Sequence, residues 1–219
     1  MGIMCINFST TCWGDLIIGI MASSIAMFFL GLWQYFKLWK PNKEIKEVGF
    51  IKKFDNQKKA EETLLKDMKE TKKKLDIFTT RGDTFSNLDN KNGIAQYIST
   101  NQQVTKRFLI SHPNNPFLQQ REQELQEQQQ TPVNDLKIEA GKSFEKLNKL
   151  TLNKVSVRQH LENPVRYRLI LLDHCMYISQ QLSGKCSQES PIVKYTNESY
   201  LYEIFTSQFD DLWEKYDPN

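Results

Sequence analysis

Residues 1 to 36 contain no lysine and no arginine, and Asp15 is their one charged residue. Cysteine is scarce as well: four in 219 residues give no disulfide lattice. Nine glycines and seven prolines exclude collagen-like and Pro/Gly-rich disordered chains. A mean hydropathy of -0.56 excludes a multi-span membrane protein. Histidine occurs three times, and none is followed two residues later by lysine: His112 precedes Pro113 and Asn114, His160 precedes Leu161 and Glu162, and His174 precedes Cys175 and Met176. At 25.8 kDa, the chain has room for one ordinary domain and an appendage, not for a two-domain enzyme.

One long uncharged run is present. Leu16 to Phe36 holds 21 residues without a charge. At about 1.5 Å rise per residue, such a helix covers the roughly 30 Å hydrocarbon core of a bilayer. The run lacks a basic leader and a small-x-small cleavage site, so a retained anchor is expected. Lys37, Lys40, Lys43 and Lys46 follow it at once, which by the positive-inside rule places the amino terminus outside a bacterial inner membrane and the carboxy-terminal part in the cytoplasm. Trp13 on one side and Trp33, Tyr35 and Trp39 on the other suit the headgroup layers. Gly19, Ala22, Ser23 and Ala26 form a small-residue patch at four-residue spacing, suited to close helix pairing and a homo-oligomer.

Charge is uneven along the rest. Residues 37 to 76 carry 13 Lys/Arg against 8 Asp/Glu, whereas residues 77 to 219 carry 16 against 17. The basic excess hugs the membrane, which fits contact with anionic lipid and gives no reason to invoke nucleic acid. Cys5 and Cys12 fall outside and Cys175 and Cys186 inside; neither pair has CxxC spacing, and the histidines stand at no helical ligand spacing from them, so neither a metal site nor a cofactor is expected.

The expected organisation is a tip over 1–15, a span over 16–36, a basic juxtamembrane linker over 37–53, and a domain over 54–219 that includes its leading helix. Helix formers run from Phe54 to about Lys74. Strands are expected at Leu75–Thr79, Phe108–Ser111, Val155–His160, Tyr167–Leu172, Met176–Ser179 and Pro191–Tyr195. Helices are expected at Gly93–Ser99, Phe117–Gln126, Asn134–Leu150 and Ser199–Tyr216, with Phe205, Phe209, Leu212 and Trp213 as the core face of the last. Strands interleaved with helices predict an α/β sandwich. Arg81-Gly82-Asp83 reads as a strand-to-helix turn with glycine at positive φ, and His112 as a loop cap.

KLDIFTTRGDTF, KRFLISHPNNPFLQQRE, VSVRQHLENPVRYRLILLDHCMYIS and the final SPIVKYTNESYLYEIFTSQFDDLWEKY together resemble a phospholipase D-like domain of the degenerate, single-copy kind found in bacterial regulatory and defence proteins. In active members an HxKxxxxD motif supplies a histidine nucleophile, a lysine that stabilises phosphoryl oxygens, and an aspartate. Here the spacing reads Arg166, Arg168 and Asp173. A guanidinium stays protonated and has no lone pair to attack phosphorus, so the resemblance implies the fold without the phosphohistidine chemistry.

An inert site can still bind. Arg166 and Arg168 share a face of one strand, Arg158 and His160 share a face of the strand before, and a hairpin of the two would bring all four onto one surface beside Asp173. Such a cluster fits a phosphate, a nucleotide-like ligand or another anion. The expectation is thus a single-pass, non-enzymatic sensor or regulator that binds an anionic ligand or a protein partner and signals through self-association of its span; the resemblance adds an antiphage setting. Two other classes stay open: a transmembrane effector that disrupts the bilayer on clustering, and a phosphodiesterase with a site built on His112 or His160.

Overall fold

The computed structural model describes residues 48–89, 93–129, 136–150, 153–161, 167–180 and 189–217. The span over 16–36, its packing patch Gly19, Ala22, Ser23 and Ala26, and Arg166 lie outside the described residues. Among the described residues no helix is long and apolar enough to cross a membrane. The chain divides into two units, residues 1–47 and residues 48–219.

The second unit is built on one seven-stranded mixed sheet. In chain order its elements are β1 (Phe50–Phe54), α1 (Gln57–Glu70), β2 (Lys74–Thr79), α2 (Asp83–Ser86), α3 (Ile94–Thr100), β3 (Thr105–Ser111), α4 (Pro116–Gln129), α5 (Leu136–Asn148), β4 (Val155–His160), β5 (Tyr167–Leu172), β6 (Cys175–Gln180), β7 (Ile192–Thr196) and α6 (Tyr200–Lys215). The strand order is β1-β7-β6-β5-β2-β3-β4. β2, β3 and β4 run parallel, and β5, β6, β7 and β1 continue the sheet antiparallel. The sheet therefore begins at Phe50, inside the stretch expected to be linker. Lys52 and Lys53 give β1 the charged, exposed character of an edge strand.

Alternation along the strands sorts the core into two layers. Leu75, Ile77, Phe108, Ile110, Ile170, Leu172 and Tyr177 face α1, α3 and α5 in the larger one. Phe78, Leu109, Leu169, Leu171 and Met176 face α6 in the other, where Phe209 is buried and Phe205, Leu212 and Trp213 are half-buried, as their helical spacing predicts. A third cluster, Leu118, Leu125, Leu136 and Ala140, joins α4 to α5. Ser199 caps α6, its hydroxyl accepting from the Leu201 N–H at 3.1 Å. Gly82, at φ 81°, stands at the N-cap of α2, so Arg81-Gly82-Asp83 is the turn its glycine implied.

Candidate functional site

The second residue of β5, Arg168, sits where β2 ends and α2 begins, beside the carboxyl ends of parallel strands, the place where open α/β sheets hold ligands. Its side chain points into the larger core layer and is 8% exposed. It donates to the Gln57 amide oxygen, Oε1, at 2.7 Å, and Gln57 is braced in turn by its Nε2, which donates to Glu61 at 2.8 Å and Thr84 at 3.2 Å. Phe85 lies 6.0 Å from the guanidinium carbon. Nε is buried with no hydrogen-bond partner. Burial pushes this guanidinium down from its ordinary value, with Asp83 and Glu61 opposing and Arg81 adding to the shift. Around it, Gln57, Thr84, Phe85, Tyr177 and Ser179 help line a cavity of about 20 Å³, room for one water molecule.

The other expected ligands do not join it. Arg158 and His160 lie on the opposite face of the sheet and three strands away, with β2 and β3 between, because β4 pairs with β3 and is not the hairpin partner of β5. The hairpin is β5–β6. The reason is burial. β5 is apolar from Leu169 to Leu172 and buried on both faces, which suits a central strand, whereas VSVRQH in β4 alternates in polarity and suits an edge. Arg158 instead binds α6: it donates to the Trp213 carbonyl, pairs with Asp217 at 2.7 Å and stacks 4.3 Å over the Trp213 ring. Asp173 occupies the β5–β6 turn, at the far end of β5 from Arg168. Its carboxylate accepts three consecutive backbone N–H groups, from Lys72, Lys73 and Lys74, at 2.7, 2.8 and 3.0 Å. Burial works against its charge, but those three donors hold the carboxyl below its ordinary range.

None of the three histidines joins Arg168. His112 Nδ1 accepts the Asn114 N–H at 3.0 Å, a loop cap. His160 is 0% exposed, 5.1 Å from the Phe78 ring and 6.1 Å from Tyr216, with Ser111 Oγ 3.2 Å from Nε2. Burial pushes it down to about 4, so it is neutral near pH 7. His174 lies in the β5–β6 turn. Sequence reasoning missed Gln57, Thr84 and Ser179 as the neighbours of Arg168. The pairing of Ser179 with Arg168 in the β5–β6 register follows once Asp173-His174 is read as the hairpin turn.

No protein-family model matches the chain, and no curated protein matches it. Among solved structures it is similar to TrmBL2, an archaeal chromatin protein whose structure shows a mode of DNA binding, at 13% identity over 95% of this chain and 67% of that one, TM-score 0.46. It is also similar to NucT from Helicobacter pylori, at 9% identity over 74% and 94%, TM-score 0.46. A third is Nuc from Salmonella typhimurium, a phospholipase D family member, at 14% identity over 69% and 85%, TM-score 0.44. Phospholipase D family structures are thus among those the chain is similar to. At these identities no catalytic residue is carried across.

Proposed function

We propose that this chain is a membrane-anchored, non-catalytic regulatory protein. Residues 16–36 hold it in a bacterial inner membrane, and the α/β domain on the cytoplasmic side recognises a partner and transmits that state through self-association of the span. The observation that carries the reading is Arg168. A buried guanidinium, fixed by Gln57 beside a cavity with room for one water, stands at the lysine position of the motif that the sequence resembles. The burial of His160 behind Phe78 and Tyr216 supports the same reading, since a nucleophile must reach its substrate. The separation of Arg158 and His160 from Arg168 favours a protein partner over one anion held by all three.

The test uses the full chain in detergent with bis(p-nitrophenyl) phosphate as substrate. No turnover above the protein-free rate is expected. Turnover that disappears in His160→Ala or His112→Ala would overturn the non-catalytic reading. The coupling has its own test, a membrane reporter of self-association: substitution of Gly19, Ser23 and Ala26 by leucine should lower the signal, and an unchanged signal would sink the role of the span.

A further inference from the structure

We propose that Asp67, His174 and Cys175 form a divalent metal site of zinc type at the end of the sheet remote from Arg168. Asp67 comes from the last turn of α1, His174 from the β5–β6 turn, and Cys175 opens β6. One donor atom from each lies within 4.8 Å of the other two. His174 Nε2 is 3.9 Å from Asp67 Oδ1, and Cys175 Sγ is 3.5 Å from Asp67 Oδ2. Two ligands on a tetrahedral ion with arms of about 2.0–2.3 Å are separated by roughly 3.3–3.8 Å, so Asp67 Oδ1 and His174 Nε2 already stand near that separation, and the Cys175 thiol, which now meets Oδ2, must turn toward Oδ1 to complete the set.

A second observation points to a ligand. His174 Nε2 is a buried atom with no hydrogen-bond partner, and its gap to Asp67 is too long for a hydrogen bond. The Asp67 carboxylate is unevenly used: Lys194 at 2.5 Å, the Tyr177 hydroxyl and the Cys175 thiol all hold Oδ2, leaving Oδ1, which faces His174, for the ion. Lys194 and Tyr177 then act as outer donors that orient the ligand. The scaffold does not depend on metal, because Asp173, one residue before His174, is already tied to three backbone N–H groups.

The donor set selects the ion. One thiol, one imidazole and one carboxylate suit zinc and disfavour magnesium or calcium, which want oxygen alone. Three protein ligands leave a fourth position for water, and the His174 side chain, 38% exposed, marks the entry path. Binding releases the thiol proton to solvent as the metal–thiolate bond forms, and the thiolate and Asp67 supply two negative charges against the ion and the Lys194 ammonium, which leaves the site with one net positive charge.

The test is a cobalt titration of the full chain with Cys5, Cys12 and Cys186 changed to serine, which leaves Cys175 as its one thiol. The expected result is a thiolate-to-cobalt charge-transfer band that zinc abolishes and magnesium leaves unchanged. Cys175→Ser should remove the band, and His174→Ala should weaken cobalt binding at least about tenfold while leaving the far-ultraviolet circular dichroism unchanged. Absence of the band in the Cys175-only chain overturns the site. So does a titration in His174→Ala that superimposes on the parent, and that half-exposed position keeps the test decisive even where Cys175→Ser fails to fold.

Discussion

The two faces of the sheet treat arginine in opposite ways. Under α6, Arg107 is bidentate to Asp76, at 2.7 Å from Nε and from Nη2, reaches Asp210 at 2.6 Å, and lies 5.0 Å over Phe209. Arg158 on the same face is held by Asp217 and Trp213. On the other face Arg168, deeper than either, has an amide oxygen and no ion pair among the described residues. The first face uses guanidinium groups to pin the last helix to the sheet. The second keeps a charge where burial opposes it and no carboxylate answers it.

The contrast is sharpest at Arg107. Arg107→Ala strips the fully buried Asp76 carboxylate of its bidentate partner and leaves Lys74 at 3.5 Å as its remaining cation. Removing one member of a buried pair typically costs about 3–5 kcal/mol, and urea unfolding should show a loss of that size with the slope unchanged. A loss under about 1 kcal/mol would mean that α6 is docked by its apolar residues alone.

His160 tests the same face through pH. Its folded value, about 4, lies below the ordinary 6.5, so the folded state binds the proton less readily than the unfolded chain. Its contribution is complete above pH 6.5 and is lost as the pH falls from there to about 4, amounting to about 3 kcal/mol. His160→Phe keeps an aromatic beside Phe78 and Tyr216 and should flatten the stability profile between those limits. An unchanged acid slope in the variant would assign the loss to carboxylates instead.

Asp173 is the counterpart on the β5–β6 turn. Asp173→Ala leaves three backbone N–H groups without their acceptor, and a loss of about 2 kcal/mol is expected, with faster hydrogen exchange confined to Lys72, Lys73 and Lys74. Because those donors hold its carboxyl below the ordinary carboxylate value, the contribution is present above about pH 4 and falls as acid protonates it. Unaltered exchange at those three amides would show that the turn is held by the strands.

Much of the fold is legible locally. β4 and β5 fall where their residues predict, because alternation in VSVRQH and the apolar run in YRLILL are strand signals by themselves. The partnership between them was misjudged. Adjacency in sequence argues for a hairpin, whereas the order β5-β2-β3-β4 is set by which strands are apolar on both faces, a property that appears only when all are compared. β1 escaped because Lys52 and Lys53 make an edge strand read as linker. The nearness of Asp67 to His174 and Cys175 was not legible at all, since 107 residues separate Asp67 from His174 and no spacing rule reaches across a crossover.

The smallest effect bears most directly on what the domain does. Arg168→Met replaces the guanidinium by an apolar side chain that fits among Phe85, Ile170 and Tyr177, while Gln57 Nε2 keeps Glu61 and Thr84 as acceptors and Oε1 loses its donor beside a cavity with room for one water. A buried charge without a carboxylate costs more in lost hydration than a single amide contact returns, so the variant should be more stable by about 1 kcal/mol. Arg107→Met should move the opposite way, and the difference in sign between two arginine-to-methionine changes separates the two faces more cleanly than either magnitude. If Arg168→Met is destabilising by a similar amount, the guanidinium is a structural group like Arg107, and the contrast between the two faces loses its physical basis.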